Sequence, residues 1–150
     1  MKNARNKVLT GVTGEYYVAA ELSRRGYLAS ITLRNTKGVD ILCSNEDASK
    51  SVGIQVKSKT GSGRAWMLNA KGEKYYADNL FYVFVNISEE GTLEYTVVPS
   101  KVVADHITKN HAKYLATPSK KGLAHKDSTM RVFRDSEEQY LNRWDLLGLV

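Results

Sequence analysis

Cysteine is nearly missing from this chain: Cys43 is the one thiol in 150 residues. A single thiol closes no internal disulfide and builds no cysteine-based zinc site. Long apolar runs are also missing, and no stretch approaches the roughly 20 residues that a membrane-spanning helix needs. The first residues, Met1-Lys-Asn-Ala-Arg-Asn-Lys7, are basic and lack the apolar block of a secretory leader. Repeats and low-complexity tracts are absent. The expectation is a single globular domain over residues 1–150, cytoplasmic and independent of membranes, long enough to bury its own core.

Acids are in deficit. Asp and Glu number 16 against 22 Lys and Arg, for a net charge of +6. The excess is localised: Lys113, Lys120, Lys121, Lys126, Arg131 and Arg134 face one acid, Asp127, so that segment alone carries +5. A concentrated excess favours a polyanionic partner, whereas the plain alternative is a solvated loop.

Residues 1–9 read as a polar, basic arm. A helix is expected to begin at Thr10 or Thr13, either of which can cap it, and to end at Gly26, suited to a left-handed terminus. Glu15, Val18, Ala19 and Leu22 share one stripe of it. A carboxylate on an apolar stripe either finds a partner or stays half in water, favoured by the helix dipole. Strands are expected over Tyr27–Leu33, Val39–Cys43 and Val52–Lys59, with a turn at 34–38 and a polar hairpin loop at 44–51. Further short strands are expected over Ala65–Leu68 and Leu93–Val98. A central strand covers Leu80–Ile87, which is apolar on both faces. Ala70–Asp78 reads as a short helix. A longer helix is expected over Lys101–Leu115, capped by Ser100, with Val103, Ile107, His111 and Tyr114 inward. Arg131–Arg134 reads as a brief strand. A closing helix over Glu137–Leu147 is expected behind the capping box that Ser136 and Gln139 suggest.

Alternation in the strands singles out one place. Ile54 and Val56 face one way, and Gln55, Lys57 and Lys59 the other. Asp40 stands among Val39, Ile41 and Leu42, an unusual position for an acid. Antiparallel pairing of the two strands brings Asp40 within reach of Gln55 and Lys57. Packing the first helix on that same face is expected to add Glu15. Carboxylates, an amide oxygen and main-chain carbonyls suit Mg²⁺ or Mn²⁺. An ammonium beside them can orient water and offset charge on a phosphate. A buried Asp40–Lys57 ion pair serving only the fold remains the competing reading.

Gly14-Glu15, Gly26-Tyr27, Val39-Asp40 and Gln55-Val56-Lys57 together resemble the PD-(D/E)XK nuclease superfamily, in its restriction-endonuclease-like and archaeal Holliday junction resolvase-like branches. The likeness covers roughly the first 60 residues. It implies an α/β fold with a restriction-endonuclease-like core (helix, three strands, helix, strand), a mixed central sheet flanked by helices, and a C-terminal helix. It implies that Asp40, Gln55, Glu15 and the Val56 carbonyl hold Mg²⁺ or Mn²⁺, and that Lys57 is catalytic beside them. Val39 replaces the motif's proline, and Gln55 replaces its second acid. The implied activity is metal-dependent hydrolysis of DNA phosphodiester bonds, with Lys59, Arg64, Lys120, Lys121, Lys126 and Arg131 on the nucleic acid. A homodimer is implied as well. The alternative is a nucleic-acid-binding module that keeps the nuclease fold with weak or lost catalysis. A third reading makes Asp40 and Lys57 purely structural.

Overall fold

Val18 and Leu22 are fully buried, one helical turn apart, and they set the face on which the first helix packs. The computed structural model describes residues 4–33 and 36–150, the side chains of 4–6 excepted. The expected arm and the expected turn at 34–38 therefore fall partly outside the described residues. Helix α1 spans Ala4–Arg24, so it begins before either expected cap. The Thr13 hydroxyl explains part of the difference: it donates to the Leu9 carbonyl at 2.7 Å, a bond within the helix and not a cap. The end is as expected. Gly26 has φ +89°, Tyr27 N–H donates to Leu22 C=O and Gly26 N–H to Ser23 C=O, the paired closure that a left-handed glycine permits.

The strands are β1 (Leu28–Ile31), β2 (Ile41–Ser44), β3 (Ser51–Thr60), β4 (Ala65–Asn69), β5 (Leu80–Ile87), β6 (Leu93–Pro99) and β7 (Met130–Arg134). Among the described residues they form a five-stranded sheet ordered β1-β2-β3-β5-β6 and a two-stranded ribbon β4-β7. Pairing is antiparallel except between β3 and β5. That parallel pair needs a crossover, which β4 and the 3-10 turn Ala70–Lys74 provide. The helix expected at Ala70–Asp78 is thus a single tight turn, capped by the Asn69 side chain accepting from Lys71 N–H. Gly72 lies so close under Ile107 that a Cβ there would stand 3.1 Å from Ile107 Cδ1. Helix α2 spans Ser100–Ala116. Buried Ser100 does not cap it through its side chain; its Oγ bonds instead to the Ala77 N–H and carbonyl, each at 3.1 Å.

The sheet divides two cores. On one face α1 packs with Ile41, Ile54, Val56, Val83 and Val97, closed by Trp144 and Leu147. On the other, α2 and the β4-β7 ribbon enclose Tyr82, Phe84, Trp66 and Phe133. Phe84 and Phe133 stack with ring centroids 4.7 Å apart.

The closing helix expected over Glu137–Leu147 is reduced to a 3-10 turn, Trp144–Leu147. Glu138 and Asn142 take positive φ, +57° and +54°, which no α-helix accommodates. Buried Asp135, not Ser136, organises the segment: its carboxylate accepts from Gln139 N–H at 2.9 Å and Tyr140 N–H at 3.0 Å. The chain then runs along the edge of β6, where Val97 N–H donates to Tyr140 C=O and Asn142 N–H to Tyr95 C=O.

Two consequences are measurable. A Cβ at Gly14 would lie 1.6 Å from Ser58 Oγ and 2.8 Å from its Cβ. Gly14→Ala should therefore lift α1 from β3 and destabilise the fold by about 1–3 kcal/mol in urea unfolding, with Ser58→Gly in the same chain recovering part of the loss. His106 Nε2 accepts the Arg134 N–H at 3.1 Å, and its pKa is lowered, first by burial and then by the Arg134 charge, with Asp135 opposing. The unfolded chain binds this proton near pH 6.5, at which the folded chain still refuses it. The stability contribution is thus complete above about pH 6.5 and declines as pH falls from there through the lower folded pKa. Urea midpoints at pH 7.5 and 5.5 should show that decline, diminished in His106→Asn.

Candidate active site

The site forms where β2 and β3 part. The β2–β3 ladder ends at the Ile41–Ile54 pair, which places Asp40 opposite Gln55 on the same face of the sheet. Asp40 N–H still donates to Ile54 C=O at 2.8 Å, but its carbonyl turns to accept from Thr32 N–H at 2.9 Å. The main chain thus leaves β3 here, and the Asp40 side chain enters the gap. Its Oδ2 accepts the Val56 N–H at 2.7 Å. A strand N–H lies in the plane of its sheet, so the half-buried carboxylate sits near that plane. Among the described residues its Oδ1 receives no hydrogen bond.

Gln55 and Lys57 are half-buried on the face that carries Tyr82 and Phe84, their partners across the parallel pair. Among the described residues neither side chain makes a hydrogen bond or ion pair, and no Asp40–Lys57 salt bridge forms. The purely structural ion pair weighed above is therefore not what holds Asp40; the Val56 amide does that.

Helix α1 does not lie on the Gln55 and Lys57 face, contrary to expectation. Val18 and Leu22 pack with Ile54 and Val56, and Gly14 meets Ser58. Strand alternation gives the reason, because the apolar residues of β3 all point to α1. Glu15, half-buried, follows Gly14 on this opposite side. Glu15 and the Gln55–Lys57 pair thus belong to opposite faces of the sheet, and the fold does not gather them on one face as expected.

One neighbour escaped the sequence reading. Tyr75 lies over Gly38, whose φ is +77° and where a Cβ would stand 2.2 Å from the Tyr75 hydroxyl oxygen. Its pKa is raised, first by burial and then by the charge of Asp40. The signal available was Gly38 itself, a residue without a side chain two positions before a conspicuous acid.

The cations assigned to nucleic acid separate into two groups. Arg64 is inserted between Glu94, at 3.3 Å, and Glu138, at 3.0 Å. Arg131 is mostly buried and pairs with Glu73. The Lys59 ammonium bonds the Ser62 carbonyl at 3.1 Å and stands 5.5 Å from the centre of the Trp66 ring, with its pKa lowered by burial. Lys120, Lys121 and Lys126 are exposed, and among the described residues none is in an ion pair.

Asp40, Gln55, Glu15 and the Val56 carbonyl offer only oxygen donors, a set that suits a hard divalent cation. Among the described residues no group of three or more His, Cys, Asp or Glu is placed to hold a metal. The site supplies at most two carboxylates, its other donors being an amide and a main-chain carbonyl.

No protein-family profile and no curated protein sequence matches the chain. Solved structures similar to it include the following two. The Holliday junction resolvase Hjc from the archaeal hyperthermophile Archaeoglobus fulgidus matches at a TM-score of 0.52 and 13% identity, over 93% of this chain and 97% of its own. A bacterial homing endonuclease matches at a TM-score of 0.51 and 16% identity, over 99% of this chain and 94% of its own. No described helix is long and apolar enough to cross a membrane. Helix α1, the antiparallel β1-β2-β3 set and the parallel β3–β5 pair around the Asp40 gap form a mixed α/β architecture, and the chain has a restriction-endonuclease-like fold.

Proposed function

We propose that the chain is a metal-dependent endonuclease that hydrolyses phosphodiester bonds in DNA. The carrying observation is the Asp40 carboxylate, fixed in a strand gap by the Val56 N–H, beside half-buried Gln55 and Lys57 that have no described partner. Neither polar end is among the buried atoms that lack a partner, so both are open to water and to a ligand. The two structural neighbours are a Holliday junction resolvase and a homing endonuclease, which supports DNA as the substrate.

In this reading Asp40, Gln55 and the Val56 carbonyl would hold Mg²⁺ or Mn²⁺, with Glu15 supporting from the α1 side. When bound, the cation supplies Lewis acidity toward a phosphate oxygen and lowers the pKa of a coordinated water. The chain's own groups do the rest. Asp40 is pre-oriented by the Val56 amide, so little ordering remains to be done on binding. Lys57 orients the attacking water and offsets the charge that grows on the phosphoryl oxygens. The water oxygen would bond to phosphorus and release one proton to solvent as one ester P–O bond breaks, and the departing oxygen would take up one proton from solvent. Lys120, Lys121 and Lys126 contact backbone phosphates, which gives affinity without sequence choice. Arg64, Arg131 and Lys59 are committed within the fold and act by holding it. A homodimer with one site per copy is the assembly this reading implies for paired cuts, in a cytoplasmic protein.

Gln55 favours one alternative, a nucleic-acid-binding module with weak catalysis, because it brings an oxygen without a charge. The two readings differ in outcome. Purified protein with Mg²⁺ or Mn²⁺ should nick plasmid or branched DNA, and Asp40→Ala or Lys57→Ala should each lower the rate at least a hundredfold. Equal rates in wild type and both variants would sink the site. Salt-sensitive DNA binding with no cleavage and no calorimetric Mn²⁺ uptake would select the binding module. Gln55→Glu should tighten Mn²⁺ binding severalfold in the same titration. Replacing Lys120, Lys121 and Lys126 together by alanine should weaken DNA binding and flatten its salt dependence, while Arg64→Ala should lower thermal stability instead.

A further inference from the structure

A second concavity lies away from the Asp40 gap, between the C-terminal half of α2, strand β7 and the 117–129 loop. Its volume is about 600 Å³, within the roughly 300–1,000 Å³ range typical of small-ligand sites. One wall is aromatic: the Tyr114 ring and the His125 ring stack with centroids 4.0 Å apart, and His111 lies 6.1 Å from Tyr114. His111 is itself fixed, its Nε2 being 2.8 Å from Asp127 Oδ1. Met130 and Tyr114 are both exposed there, although each is a large apolar side chain. Lys113 and Arg134 also line the cavity, and among the described residues neither is in an ion pair. An apolar and aromatic wall joined to two uncompensated cations matches a planar ring that carries an anion.

We propose that this cavity receives one unpaired nucleotide at the end or branch of a nucleic acid strand, its base against Tyr114 and Met130 and its phosphate at Lys113 and Arg134. Stacking on an aromatic face is open to every base, and the cations add attraction to the phosphate without reading sequence. The cavity is coupled to the Asp40 site through one short segment. Arg131, on its border, pairs with Glu73 of the 3-10 turn, and Tyr75, two residues on, rests on Gly38 beside Asp40. The proposal rests on the nuclease reading only in taking the nucleotide from a strand, and it names the substrate feature that strand must have: an unpaired residue.

Thymidine 5′-monophosphate, thymidine and inorganic phosphate serve as probes, each titrated into ¹⁵N-labelled full-length protein. The monophosphate should give saturable shifts at His111, Tyr114 and Arg134, with thymidine and phosphate each at least tenfold weaker. Tyr114→Leu, which keeps the apolar wall but loses the ring, and Arg134→Gln should each weaken the monophosphate at least tenfold. Fluorescence anisotropy should then show wild type binding a duplex with a single-stranded overhang more tightly than a blunt duplex, a preference lost in Tyr114→Leu. Absent shifts, phosphate binding as well as the monophosphate, wild-type affinity in both variants, or equal affinity for overhang and blunt duplex would each overturn the proposal. Lys57→Ala should leave the monophosphate shifts at His111, Tyr114 and Arg134 unchanged. Failure of cleavage in wild type therefore sinks the nuclease reading alone, and failure of monophosphate binding sinks the pocket alone.

Discussion

The hydrogen bond from the Val56 N–H to Asp40 Oδ2 is the constraint on which the site depends. It replaces a ladder bond that the main chain of β2 would otherwise supply. Without an acceptor the Val56 amide would be an unsatisfied donor within a buried strand, at a cost of about 1–3 kcal/mol. The side chain of Asp40 meets that requirement while the strand itself bends away. One interaction thus ends the pairing of β2 with β3, opens the gap, and holds a carboxylate in it. The fold uses Oδ2 of that oxygen pair, and among the described residues Oδ1 receives no hydrogen bond.

The rest of the molecule is arranged to keep that gap in place. Strand β3 is long because it pairs on both sides, antiparallel to β2 and parallel to β5. The parallel pairing forces a crossover, and the crossover carries the β4 strand, the 3-10 turn and Tyr75 over the Gln55 face. On the other face, the absence of a side chain at Gly14 lets α1 approach Ser58 closely, which brings Glu15 alongside. Buried aromatic stacking through Trp66, Phe84 and Phe133 then ties the β4-β7 ribbon to the central sheet. The arginines that look available for phosphate are drawn into this framework: Arg64 ties β6 to the C-terminal segment and Arg131 ties β7 to the crossover.

Local pattern made much of this legible. Period-two alternation separated Gln55 and Lys57 from Ile54 and Val56, and the stripe through Val18 and Leu22 marked the buried side of α1. The same alternation, pursued one step further, would have placed α1 opposite Gln55, because a helix with an apolar stripe packs where the apolar strand residues point. Ionic partners were not legible. Arg64 meets Glu138 across 74 positions, and nothing in the neighbourhood of either residue announces the pair. The closing segment misled for a different reason. Its spacing of Tyr140, Trp144 and Leu147 is helical, but the Asp135 cap and the pairing with β6 satisfy its backbone in another way, and tertiary bonding outweighs a weak local preference.

Under the proposed reading, Gln55 in place of an acid changes the balance of the site and not only its metal affinity. A second carboxylate about 5 Å from a phosphate oxygen would repel it by roughly 3 kcal/mol at an effective dielectric of 20. In that reading its absence also weakens the hold on a cation, and by more, because a ligating carboxylate would meet a doubly charged ion at direct contact. Under the proposed reading, the cation's shell then relies more on the substrate's own phosphate oxygens, and cation and nucleic acid reinforce each other's binding. Lys57, with no carboxylate paired to it among the described residues, acts in the same direction by favouring phosphate. On that reading the site would assemble on its substrate: the Asp40–Val56 bond fixes one carboxylate beforehand, and the nucleic acid would supply the negative charge that Gln55 lacks.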